Sequence, residues 1–196
     1  MTDGKNQIEL IRQRFKYFNR FMLLLWHLGL GKHINTLSRF GGRIMVITHT
    51  GRKSGARRRT PVNYAVVNGE IYCIAGFGAV SDWFRNIKAN PQIEIWLPSG
   101  WWAGIAKEVT DEQIRITLIR AVLRSSGYAA QAFGMDPSTM TNEALEKAAR
   151  GYRLVHINRT LARTGPGGPG EFSWIWPLAA MFLLPVTLIL YLQRRR

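Results

Sequence analysis

Between Thr48 and Pro61 five cations, Arg52, Lys53, Arg57, Arg58 and Arg59, are set among Gly51, Ser54 and Gly55. The stretch follows an apolar, β-like run, Ile44-Met45-Val46-Ile47. A basic, glycine-punctuated turn between two strands suits an anion. Backbone N–H groups line such a turn, side-chain hydroxyls add donors, and Arg and Lys supply charge. The chemistry indicated is a grip on phosphate.

Other chemistries find little support. The Walker phosphate loop needs glycine directly before its Lys-Ser pair, and Arg52 holds that place. No Gly-x-Gly-x-x-Gly follows a strand, and no Gly-x-Ser-x-Gly elbow occurs. His27, His33, His49 and His156 lack metal-ligand spacing and read as structural or surface residues. The 12 acidic residues offer no general acid/base pair. Few acid/base groups beside a phosphate grip suit a cofactor that brings its own reactivity.

The net charge of +15 over 196 residues calls for an anionic partner. A phosphorylated cofactor, an acidic membrane surface and nucleic acid all qualify. Nucleic acid is disfavoured: no recognised binding motif is present, and the aromatics are not interleaved with the basic run. Cys73 is the single cysteine, so no internal disulfide can form. It sits in the β-like run Ile71–Ala75 and reads as a buried, inert thiol. Residues 1–20 are polar and charged and do not form a secretory signal.

The elements around the basic turn follow from periodicity. Ile8, Ile11, Phe15, Phe18, Met22 and Leu25 recur at three- and four-residue steps, which predicts a helix over 6–28. It is expected to pack on the core, with a membrane interface as the alternative. Strands are predicted at 43–49, 61–67, 70–75, 92–97, 101–109 and 152–157. Asn68-Gly69 marks a tight hairpin turn. Residues 81–89 read as a short helix with Ser81 as N-cap, and Thr110-Asp111-Glu112-Gln113 as a capping box opening a helix to about 125. Residues 142–150 read as helical.

Residues 164–170, rich in Gly and Pro, predict a linker. Phe172–Leu192 is uncharged, apolar and long enough to span a bilayer, flanked by Trp174, Trp176, Tyr191 and a basic end. The expected organisation is an N-terminal helical segment (1–42), a barrel domain (43–160), a linker (161–171), a transmembrane helix (172–192) and a basic tail (193–196). The barrel domain is expected at the cell membrane on its cytoplasmic side. Against the usual positive-inside bias, the tail arginines would then have to cross.

The pattern Thr50-Gly51-Arg52-Lys53-Ser54-Gly55-x-x-Arg58-x-x-Pro61, followed by Trp83-Phe84-Arg85-Asn86-Ile87-Lys88-Ala89-Asn90-Pro91, resembles the paired signatures of the deazaflavin-dependent nitroreductase family. These are small enzymes of the split β-barrel flavin-binding superfamily. The resemblance covers roughly residues 15–158. It implies an α+β fold: an antiparallel split β-barrel of about six strands with flanking helices, here followed by the transmembrane helix. It implies coenzyme F-420, an 8-hydroxy-5-deazaflavin with an anionic tail, with FMN as the lesser alternative.

Carried over by position, the resemblance implies that Arg52, Lys53, Ser54, Gly55 and Arg58 hold the phosphate end. Pro61 and Asn63 are expected along the ring system, Ala75, Gly76 and Phe77 close to it through backbone, and Trp83 and Asn86 beside the cofactor. The loop between Gly76 and Trp83 is shorter than in better-known relatives. The family's substrate-facing tyrosines fall in a variable region, where Tyr128 is the one candidate and a possible proton donor.

The expected reaction is hydride transfer from the reduced deazaflavin to an electron-poor acceptor. A membrane tether points to a lipophilic one, such as a quinone or nitro compound, without identifying it. The alternative is a non-catalytic barrel that binds a flavin, haem or fatty-acyl ligand at the membrane. No metal is expected, and the sequence does not indicate an oligomeric state.

Overall fold

The computed structural model of the chain describes residues 3–36, 42–127, 130, 131 and 134–194. Six strands form a closed antiparallel barrel: β1 (Ile44–Thr50), β2 (Arg57–Val67), β3 (Glu70–Ala75), β4 (Gln92–Leu97), β5 (Gly100–Glu108) and β6 (Arg153–Arg163). Their order around the barrel is β1-β2-β3-β6-β5-β4. The helices are α1 (Asp3–His27), α2 (Gly31–Thr36), α3 (Asp82–Ala89), α4 (Glu112–Ser125), α5 (Asn142–Ala148) and α6 (Ile175–Arg194).

Strand alternation divides the side chains between two cores. On β3, Ile71, Cys73 and Ala75 point into the barrel, where they meet Met45, Ile47 and Val62. Burial raises the Cys73 thiol pKa, so that the group is held as an inert thiol. On the outer face of β2 and β3, Ala65, Tyr72 and Ile74 pack beneath Leu118, Ile119 and Val122 of α4. A smaller cluster under α1 joins Trp26, Val46, Trp96 and Trp101.

The Asn68-Gly69 turn forms as expected, with φ of 52° and 84°, the left-handed pair that such a two-residue hairpin requires. Elsewhere the structure departs from expectation. β2 begins at Arg57 instead of Pro61, because residues 57–60 pair with Ile47–Thr50 of β1. The basic run is therefore half turn and half strand. β6 continues to Arg163, pairing with Trp101 of β5 beyond a bulge at Trp102–Gly104. The N-cap of α4 is Asp111, whose carboxylate accepts from the Gln113 N–H at 2.9 Å, and not Thr110. Ser81 precedes α3, but its side chain makes no capping hydrogen bond.

Residues 164–174 form neither helix nor strand, yet they are strapped to α1. Gly170 N–H donates to Trp26 O at 2.9 Å and Phe172 N–H to His27 O at 2.8 Å. The Trp176 indole donates to Leu28 O at 2.8 Å. The His27 carbonyl is one that the end of a helix otherwise leaves without a partner, while the Trp26 carbonyl also accepts from Gly29 N–H at 3.1 Å. α6 then runs for 20 residues, and an 18-residue stretch of it has a mean hydropathy of 2.1 with no residue buried. It is the one helix among the described residues long and apolar enough to cross a membrane.

Candidate cofactor site

The turn between β1 and β2 closes through Gly51 N–H to Ala56 O and Gly55 N–H to Gly51 O, both 2.8 Å. α3 lies against it. Between them is a concavity of about 290 Å³ lined by Arg52, Lys53, Ser54, Arg58, Asp82 and Asn86, with Gly51 at its edge. Strand alternation sorts the cations. Arg58 faces the concavity, whereas Arg57 turns away to pair with Glu94 at 2.6 Å. Arg59 lies over the Trp96 ring and donates to Gly167 O at 2.8 Å. Among the described residues Lys53 and Arg58 form no ion pair, and Asp82, the carboxylate on the same wall, is paired with Arg52, which leaves their charge available to an anion.

A buried polar chain supports the turn. One oxygen, Asn86 Oδ1, accepts from the Arg52 backbone N–H at 3.1 Å and from its guanidinium at 3.0 Å. Asn86 Nδ2 faces His49 Nδ1 at 3.1 Å, and His49 Nε2 lies 3.2 Å from Thr60 Oγ1. Burial and the Arg58 charge push the His49 pKa down to about 4, so the ring is neutral. Asp82, exposed in the first turn of α3, takes both terminal nitrogens of Arg52 at 3.1 Å. Asp82 and Asn86 are one helical turn apart, which lets both reach the same arginine.

A second concavity, about 470 Å³, adjoins the first and shares Asp82 with it. Its floor is the outer face of β2 and β3, with Pro61, Asn63, Ile74 and Gly76. α1 contributes Phe15, Phe18 and Asn19, and α4 contributes Val122 and Leu123. Phe77, Ser81 and Trp83 close the side nearest the basic turn. The lining is mostly apolar, the character of a site for a flat ring. A Cβ added at Gly76 would meet no protein atom within 4 Å, so the backbone there borders open space. Ser81 is 8% exposed, and its Oγ has no hydrogen-bond partner among the described residues. A buried hydroxyl without a partner is costly, and a ligand in this concavity would satisfy it.

Most residues singled out from sequence thus meet at one place. Arg52, Lys53, Ser54, Arg58 and Asn86 line the basic concavity; Pro61, Asn63, Gly76, Phe77 and Trp83 line the apolar one. Gly55 shapes the turn without lining either, and the Ala75 side chain lies inside the barrel. Tyr128 lies outside the described residues. Sequence reasoning missed His49, Thr60, Ser81 as a site residue, Asp82 and Tyr152. The four-residue spacing of Asp82 and Asn86 on α3 was a signal that could have been used.

The closed six-stranded barrel, with a cation-lined and an apolar concavity sharing one wall, is of the split-barrel class. Residues 30–141 match the family described as F420H(2)-dependent quinone reductase, and the chain belongs to that family. It is an oxidoreductase whose cofactor is coenzyme F-420. Among solved structures it is similar to an F420-H2 dependent reductase, at 21% identity and a TM-score of 0.44, over 59% of this chain and 94% of that one. It is also similar to a conserved hypothetical protein from Mycobacterium tuberculosis, at 18% identity and a TM-score of 0.45, over 69% and 79%. The heme storage protein from Vibrio cholerae matches at 12% identity and a TM-score of 0.42, over 71% and 96%.

Proposed function

We propose that this protein is a membrane-tethered reductase that reduces a lipophilic quinone with hydride from reduced coenzyme F-420. The observation that carries this reading is the shared wall at Asp82. A cavity walled by Arg52, Lys53 and Arg58 opens beside an apolar one, as a cofactor with an anionic arm and a flat ring requires. Bound there, reduced coenzyme F-420 supplies the hydride.

The chain's own residues bind, orient and exclude water. Lys53, Arg58 and the Ser54 hydroxyl hold the anionic arm, and Arg52 joins them from its Asp82 and Asn86 partners. Gly55 keeps the turn tight. Pro61, Asn63 and the backbone from Ala75 to Phe77 would form the bed for the ring, with Trp83 packing in the same cavity and the Ser81 hydroxyl available to hydrogen-bond the cofactor. Holding ring and acceptor in contact contributes several kcal/mol to lowering the barrier. A proton must follow the hydride. Tyr152 lines the same cavity, and burial raises its phenol pKa, so it stays protonated and can donate. α6 anchors the site beside a membrane pool of acceptor.

The test uses the full chain in detergent. Coenzyme F-420 binding is followed by fluorescence for the wild type and for Lys53→Ala/Arg58→Ala. Loss of two charge-assisted contacts is expected to weaken binding at least ~30-fold and to flatten its salt dependence. Unchanged affinity would remove the clamp. Oxidation of the reduced coenzyme should depend on added menaquinone analogue; no turnover with any quinone would remove the acceptor.

A further inference from the structure

The outer face of α1 is the wrong character for a helix in water. Tyr17, Phe21 and Leu24 follow one another at four- and three-residue steps and are 70%, 56% and 49% exposed. Met22 and Trp26, on the opposite side, are buried and hold the helix to the barrel. A surface helix normally carries its polar residues at the centre of its outward face. Here that centre is apolar, and the exposed cations Lys16 and Arg20 run along one side of it. Such an arrangement belongs to a helix lying in the plane of a membrane interface.

The end of α1 is fixed to the start of α6. Trp26, His27 and Leu28 accept hydrogen bonds from Gly170, Phe172 and Trp176 in turn. With α6 across the bilayer, Trp176 in its first turn lies at the aromatic interface level. The 2.8 Å bond from that indole to Leu28 holds the end of α1 at the same depth. The apolar stripe thus ends where the spanning helix begins, and the cations along its side suit anionic headgroups.

The apolar concavity opens beside the stripe. Phe18, which follows Tyr17 on α1 and is 48% exposed, lines it, as does Phe15 on the inward side of the helix, where it meets Phe77 edge-on at 5.7 Å between ring centres.

Resting on the reading of the protein as a membrane-tethered quinone reductase, we infer that α1 seats its Tyr17–Leu24 face in the headgroup region of the bilayer. The acceptor then enters the ring cavity from lipid, past Phe15, Phe18 and Phe77, without crossing bulk water. Seating buries the stripe about 5–10 Å into the headgroup and acyl boundary.

The experiment uses the full chain in vesicles of phosphatidylcholine and phosphatidylglycerol. A polarity-sensitive fluorophore is placed on Phe21→Cys; the native Cys73 is fully buried and does not compete. Blue-shifted emission, quenched by lipids spin-labelled near the headgroup and protected from iodide, is expected. Emission typical of water with free iodide access would overturn the seating. In parallel, Tyr17→Ser/Phe21→Ser/Leu24→Ser should raise the KM for a long-chain, vesicle-embedded menaquinone about tenfold. It should leave coenzyme F-420 affinity and the KM for a water-soluble quinone as in the wild type. Equal effects on both quinones would overturn the entry route. Should no quinone be reduced at all, the acceptor reading fails, while the quenching data still decide the seating.

Discussion

Asn86 is oriented by Arg52 and, so oriented, dictates the state of His49. Two Arg52 donors converge on Asn86 Oδ1, so the amide nitrogen must be the atom 3.1 Å from His49 Nδ1. An amide N–H can only donate, so Nδ1 accepts and the ring proton sits on Nε2, aimed at Thr60 Oγ1. A barrel-wall histidine and the first cation of the basic turn are thereby joined through one amide. Removing the amide in Asn86→Ala should leave Arg52 held by Asp82 alone, with its backbone N–H unpaired, and leave the buried His49 nitrogen unpaired. The loss of about 1.5–3 kcal/mol corresponds to roughly 10–100-fold weaker coenzyme F-420 binding by fluorescence titration. Wild-type affinity in this variant would show that the chain does not support the clamp.

Burial of the His49 ring, with the Arg58 charge beside it, also makes the site sensitive to acid. His49 has a folded pKa of about 4 against 6.5 for the free side chain, so protonation is resisted in the native state. The unfolded chain binds more protons than the native one between those values. Stability is then full above about pH 6.5 and falls as the pH drops toward 4, by at most ~3 kcal/mol from this group. Binding should follow, because a proton on Nδ1 would turn the Asn86 oxygen toward the ring and away from Arg52. Chemical denaturation in detergent from pH 7 to 4 checks this. His49→Gln, which does not titrate, should show a shallower slope, and an identical slope would place the acid sensitivity elsewhere.

These relationships show where sequence reading reached and where it stopped. The Asn68-Gly69 turn, β3 and β4 were legible because their signals are local: positive-φ residues and period-two burial. The two signatures, about thirty residues apart, were legible as a pair, and they fold onto opposite walls of one concavity. What escaped is non-local. Arg57–Thr60 became strand because β1 lies alongside to pair with it. Nothing near Arg57 or Arg59 in sequence announces Glu94 or Trp96 as their partners. The glycines of 164–170 signalled a tether, while the carbonyls that strap it down belong to the far end of α1.

Ser81 separates a structural role from a binding role. A serine before a helix ordinarily caps it, and its loss then costs about 1 kcal/mol. This hydroxyl caps nothing and, among the described residues, is buried without a partner on the wall of the apolar cavity. Ser81→Ala should therefore leave stability unchanged or slightly raised, while weakening coenzyme F-420 binding roughly 3–10-fold, the value of one ordinary hydrogen bond. Paired denaturation and titration measurements decide it. A less stable variant with intact binding would make the hydroxyl a cap after all.

Gly51 is tested by a single methyl group. A Cβ there would lie 2.9 Å from Ser54 Oγ, 3.0 Å from Arg58 Nε and 3.3 Å from Ala56 O. The first two belong to side chains that can swing away, so the fold should tolerate Gly51→Ala with little loss of stability. Yet both line the basic concavity, and both must leave their positions to make room. The strain therefore falls on the anion-binding groups and not on the barrel. We expect the melting temperature to move by no more than a few degrees and coenzyme F-420 affinity to fall about tenfold. The weakening should shrink in high salt, where screening has already reduced the Arg58 contribution in the wild type. A variant that binds normally at low salt would show that the Arg58 guanidinium does not need its place across the turn.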